Sequence, residues 1–114
     1  MLQLTLDPET VTTTGAWIGD RYTYPVQLAD ENGSPVDITT GTLSITYTDV
    51  ATGSAYSFGG GSATLTKQYA AEGIVSIINP AAYPTATVVR VTVALTNGGT
   101  VQRFGPLEIT VSAP

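Results

Sequence analysis

From Arg21 to Ala29 apolar and polar residues alternate, with Tyr22, Tyr24, Val26 and Leu28 on one side of the chain. A second run, Thr42–Asp49, repeats the pattern with Leu43, Ile45 and Tyr47. A period of two is the signature of a strand with one face buried. The dense turn signal Asp30-Glu31-Asn32-Gly33-Ser34-Pro35 lies between them, followed by Val36-Asp37-Ile38-Thr39. Asn and Gly suit that turn because they accept positive φ at little cost.

The same reading extends along the chain. Leu2, Leu4 and Leu6 predict a first strand that Pro8 ends, since proline has no N–H for a ladder. Val11–Thr14 predicts an edge continuation, and Gly15–Asp20 a loop carrying the lone tryptophan, Trp17. Ala51-Thr52-Gly53 predicts a hairpin into a strand over Ser54–Phe58, and Gly59-Gly60-Gly61-Ser62 a flexible loop. Two further strands follow at Ala63–Lys67 and Gly73–Ile78, with a helical turn at Lys67–Glu72 that Gly73 stops. Ala86–Thr96 is the longest strand, with Val89, Val91, Val93 and Leu95 on one face. It turns at Asn97-Gly98-Gly99 and returns through Phe104 to Leu107, Ile109 and Val111. Gly105-Pro106 interrupts the return and predicts a bulge or a switch between sheets.

Seven to nine short strands with regular turns predict an all-β fold, an immunoglobulin-like antiparallel β-sandwich forming a single domain over residues 1–114. The disulfide of antibody domains is absent, because the chain contains no cysteine. Composition agrees with a packed core: 42% of residues are hydrophobic and 11% charged, the reverse of a disordered chain.

Charge narrows the partners. The net charge is −5, and the four basic residues, Arg21, Lys67, Arg90 and Arg103, are scattered. Nucleic-acid binding relies on clustered cations that displace counterions, and anionic membranes select the same feature. Neither nucleic acid nor membrane is an expected partner. The opening MLQLTLDPE has no basic start, apolar core or cleavage site, so synthesis and folding in a cytoplasm are expected.

Catalytic chemistry has little to draw on. There is no His and no Cys, so the commonest general base and the strongest nucleophile are missing. Gly59–Ser62 lacks the Gly-Lys-Ser/Thr ending of a phosphate loop, and no Gly-x-Ser-x-Gly elbow is present. The nine carboxylates include Asp30, Glu31 and Asp37 in a turn, with Asp49 and Glu72 near strand ends, where solvated turn residues are usual. Asp30, Asn32 and Asp37 offer oxygens to calcium, but Gly33 comes too early for a calcium loop. The expectation is a protein that is not an enzyme, with no cofactor and no metal.

Binding candidates are aromatic. Trp17 and Ile18, in a Gly-flanked segment, fit an anchor for a protein partner, and Tyr56 and Phe58 join them as candidate contact residues. The same Trp17, Tyr56 and Phe58 would serve a sugar platform, which makes a carbohydrate-binding or adhesin module the competing reading.

The segment Gly19–Asp49 resembles a family of immunoglobulin-like domains in tailed-bacteriophage structural proteins, best described in the N-terminal domain of phage baseplate upper proteins. The resemblance rests on Gly19-Asp20, the Tyr22–Leu28 strand, then Asp30, Gly33, Pro35, Val36, Asp37, Ile38 and Thr39, with Gly41 and Thr42–Asp49 after them. Gly73-Ile74-Val75 resembles the family's Gly-Lys-Val strand. Val89–Leu95, Asn97-Gly98-Gly99 and Val101–Phe104 resemble its closing hairpin. The likeness covers about residues 19 to 112, and its motifs are mainly those of turns and strands. Pro84-Thr85-Ala86-Thr87 stands where the family has Gly-x-Tyr, and the sequence stops at Pro114, without the family's receptor-adaptor region. The resemblance implies a small virion structural protein, present in many copies in a symmetric assembly. Its partners would be other virion proteins of the tail or baseplate, or of the head as a decoration protein.

Overall fold

The computed structural model describes residues 2–6 and 13–114. Two four-stranded sheets face each other. The first contains β1 (Gln3–Leu6), β3 (Thr23–Ala29), β6 (Ile74–Ile78) and β5 (Thr64–Tyr69), in the order β1-β3-β6-β5. The second contains β2 (Thr13–Trp17), β8 (Thr100–Ser112), β7 (Thr87–Asn97) and β4 (Thr42–Asp49), in the order β2-β8-β7-β4. These are the two sheet orders of an immunoglobulin-type sandwich, with part of the first strand carried across to the last.

The predicted faces are the buried faces. Tyr24, Val26 and Leu28 of β3 meet Val89, Val91, Val93 and Leu95 of β7 in one core. Register fixes this, because a one-residue slip would turn every one of these side chains to water. Pro25 lies inside β3 without breaking it. The Leu28 N–H donates toward β6, to Gly73, so odd-numbered residues of β3 face β1. The β1 ladder ends at Val26, so the N–H that Pro25 lacks is not needed there.

The interruption at Gly105-Pro106 is a bulge, not a switch between sheets: β8 stays on β7 throughout. Phe104 pairs with Val93 and Leu107 with Val91, so two steps on β7 face three steps on β8. In an unbroken ladder residues three apart face opposite ways; the bulge turns Phe104 and Leu107 to the same side, and both are buried. The Gly105-Pro106 peptide is cis.

Three expectations need correction, and one cannot be placed. The segment read as a loop around Trp17 is β2, whose last residue is Trp17. It pairs in parallel with β8, from Thr13 opposite Glu108 to Trp17 opposite Ser112, so the sandwich is not wholly antiparallel. Gly15 was a misleading breaker because β8 supplies the ladder and Ala16 is buried. Ser54–Phe58 is not a strand: a single bridge joins Ala55 to Thr48, and the chain then leaves the sheet. The helical turn is only Ala70–Glu72, a 3-10 turn closed by Gly73 at φ 71°. Pro8 and the start of the Val11–Thr14 segment lie outside the described residues.

Candidate functional site

Each sheet has two edges, and they differ. β1 has four residues; β2 has five, with Gly15 in the middle. β5 carries Lys67 and a bulge between Lys67 and Tyr69. β4 runs eight residues, TLSITYTD, with no proline, glycine, lysine or bulge. Short strands, bulges and lysines are the usual guards against unwanted pairing, and β4 has none of them.

The direction of the β4 amides follows from its neighbours. Tyr47 C=O accepts from Tyr56 N–H, and Asp49 N–H donates to Ser54 C=O. Odd-numbered residues of β4 therefore point away from β7, toward the free edge. Gly41 C=O, next in that series, accepts from Lys67 Nζ at 2.8 Å. Between these two ends Leu43 and Ile45 present their N–H and C=O groups outward.

Beside that edge lies a groove of about 450 Å3, lined by Leu43, Ile45, Tyr47, Phe58, Leu65 and Pro80 together with glycines and serines of the β4–β5 crossover. Among the described residues no charged side chain lines it. It exists because Phe58 turns inward. Its ring meets Tyr47 edge-on at 4.9 Å and Tyr56 edge-on at 5.1 Å. Gly59, Gly60 and Gly61, all at positive φ, then carry the chain across to β5.

Behind the groove is an aromatic cluster centred on Tyr83, from the β6–β7 crossover. Its ring lies 5.4 Å from Phe58, 6.1 Å from Tyr56 and 5.8 Å from Tyr22, and its hydroxyl is 3.0 Å from that of Tyr24. Tyr83 is fully buried, and its backbone bonds to Gly19 and Asp20 tie the crossover to the β2–β3 turn. Tyr47 donates to Asn79 Oδ1, which ties β4 to the end of β6. Tyr83 carries no periodic signal in the sequence, so strand patterning passes over it.

Burial raises the hydroxyls of Tyr24, Tyr47 and Tyr83 above their ordinary value of 10. Tyr24 is pushed further by its bond to Tyr83. An unfolded tyrosine loses its proton near pH 10 while these keep theirs. Their contribution is complete below pH 10 and is lost as pH rises above it. Urea titrations at successive pH values should show stability level up to pH 10. Above it the expected fall is at most about 1.4 kcal/mol per pH unit for each tyrosine involved.

The four candidate contact residues fall at opposite edges of one sheet. Trp17 is 51% exposed on the β2 edge, and its backbone N–H donates to the Tyr22 hydroxyl. Ile18 beside it is partly buried against the core. Tyr56 and Phe58 lie by the β4 edge. Tyr56 is not an exposed contact: it is buried, donating to Thr85 C=O and accepting from Thr85 N–H. Phe58 is half-buried and reachable from the groove.

The acidic turn is built into the scaffold. Asp30 Oδ1 accepts from Asn32 and Ser34 N–H groups. Asp37 Oδ1 accepts from the Thr39 hydroxyl and N–H, which hold its carboxyl below the ordinary range. Among the described residues no three His, Cys, Asp or Glu side chains gather as metal ligands. What the groove offers is shape, apolar surface and backbone groups.

Comparison with known proteins bears on the fold. No family profile matches the chain, and no curated protein does. Among solved structures it is similar to the Lin-41 filamin domain, at 17% identity with a TM-score of 0.53, over 96% of this chain and 91% of that one. The BTLA ectodomain aligns over 100% of this chain and 99% of that one, at 10% identity and a TM-score of 0.49. The filamin-domain likeness places the chain among immunoglobulin-like β-sandwiches.

Proposed function

We propose that this chain is a non-enzymatic structural protein of a bacteriophage virion. It docks onto other virion subunits as a tail or baseplate adaptor or as a head decoration protein, in many copies. The observation that carries the docking role is the stretch of the β4 edge at Leu43 and Ile45, left open between the Tyr56 bridge and Lys67, beside an uncharged groove. The virion setting is supported by the Gly19–Asp49 pattern, whose Asp30 and Asp37 turns are the structural features that the resemblance rests on. A sugar platform is less well supported, because the Tyr56 ring is buried and the Phe58 ring packs edge-on against Tyr47 and Tyr56.

Quantitative mass spectrometry of purified particles of the encoding phage tests this reading. The chain is expected at many copies per particle; particles that lack it would rule the reading out. Trp17 gives a finer test. Trp17→Ala is expected to shift stability by no more than about 0.5 kcal/mol, as for an exposed residue. Incorporation into particles should fall roughly tenfold, as for loss of an interface anchor. Unchanged incorporation would remove Trp17 from the interface.

A further inference from the structure

We infer that the β4 edge takes up an extended segment of a partner protein as an added antiparallel strand, apolar at the positions facing Ile45 and Leu43 and acidic at the position facing Gly41 and Lys67. This deepens the docking role proposed above and rests on it.

The edge is half-made already. Residues 54–56 run antiparallel to β4 and use Asp49 N–H and Tyr47 C=O. The chain then departs at Phe58, leaving the next two outward positions, Ile45 and Leu43, open. A strand entering there continues the line that Ser54, Ala55 and Tyr56 began. Its residues opposite Ile45 and Leu43 point into the groove between β4 and β5, where Phe58, Leu65 and Pro80 wait. Its intervening residues lie beside the exposed Ser44 and Thr46, which favours Ser or Thr.

Charge sets the far end. Lys67, on β5, reaches across to Gly41 C=O at 2.8 Å and Thr39 C=O at 3.4 Å. Its ammonium has only carbonyl partners among the described residues, where the ion pair present is Arg90 with Glu108. A carboxylate on the added strand opposite Gly41 faces the same way as the two apolar residues and meets that ammonium. In antiparallel sense this acidic residue follows the apolar pair in sequence.

A second copy of this chain fits less well. Each copy already carries its own bridge over Tyr47–Asp49. Two β4 edges would share only a few residues, well short of the roughly 1,200–2,000 Å2 that a stable interface between folded proteins buries.

The test is an amide-resolved NMR titration with the capped peptide Ser-Val-Thr-Val-Thr-Asp-Ser. Saturable shifts at Leu43, Ile45, Phe58 and Leu65, absent with a peptide whose valines are replaced by serine, are expected. Leu43→Pro removes one outward N–H while leaving the β7 ladder its donors, and should weaken binding about tenfold. Lys67→Gln should weaken the Asp peptide about fivefold and leave an Asn version unchanged. Both variants are checked by their melting curves. No saturable shift, shifts centred on Trp17, or concentration-dependent self-association through β4 without peptide would each overturn the proposal. A protein abundant in particles but silent to the peptide would lose this site and keep the virion role. A protein that binds the peptide but is missing from particles would do the reverse.

Discussion

Replacing Tyr83 by alanine is expected to cost about 3–5 kcal/mol, the range for removing a large buried aromatic. Its ring touches Tyr22, just before β3, and Tyr56 and Phe58 from the segment that follows β4, two stretches far apart in sequence. Its hydroxyl pairs with that of Tyr24 inside the core, so the truncation also leaves a buried polar group without its partner. A domain of this kind has about 5–15 kcal/mol of stability in total, so the variant is expected at the margin of folding. Tyr83→Phe separates the two contributions. It keeps the ring but still leaves the Tyr24 hydroxyl without its partner, and should cost about 1–3 kcal/mol, the range for one unsatisfied buried polar group. Urea denaturation of both variants decides the matter. A loss under about 1 kcal/mol for the alanine variant would mean that the cluster is not a structural hub.

Gly73→Ala is the second large effect, expected at about 2–4 kcal/mol. Gly73 sits at φ 71° between the 3-10 turn and β6. An alanine there bears the left-handed penalty of about 1–2 kcal/mol. Its Cβ would also lie 2.6 Å from Leu28 C=O and 2.7 Å from Val36 C=O, two backbone atoms that cannot swing aside. The same peptide accepts from Leu28 N–H, so a shift to relieve the collision would break a bond between β3 and β6. Gly53→Ala is the control. Gly53 has φ 74° but open space around it, so only the conformational part remains, about 1 kcal/mol. Equal losses at the two positions in thermal melts would show that the crowding at Gly73 relaxes freely.

The strand faces were legible because burial on one side of a sheet imposes a period of two. Tyr24, Val26 and Leu28 show it, and so do Val89 to Leu95. The Asp30 and Asp37 turns were legible because short polar side chains bond their own backbone. What was not legible depends on contacts distant in sequence. The parallel partnership of β2 with β8 joins residues about a hundred positions apart, and Thr-Thr-Gly-Ala-Trp has no alternation to announce it. Phe58 continued an apparent hairpin, yet the aromatic neighbours Tyr47 and Tyr83 draw its ring inward and end the pairing. The groove is a by-product of that departure. It lies between edges of two different sheets, and no local pattern encodes it. Trp17 was picked out for its type and Gly-rich setting, and its exposure on β2 suits an anchor.

The central claim is that this sandwich works by docking in a virion. A cryo-electron microscopy reconstruction of particles from the organism that encodes the chain tests it most directly. The account predicts density for this two-sheet sandwich, repeated by the particle's symmetry, with each copy seated against a neighbouring subunit. A map of the complete particle in which other proteins account for all the density would contradict it.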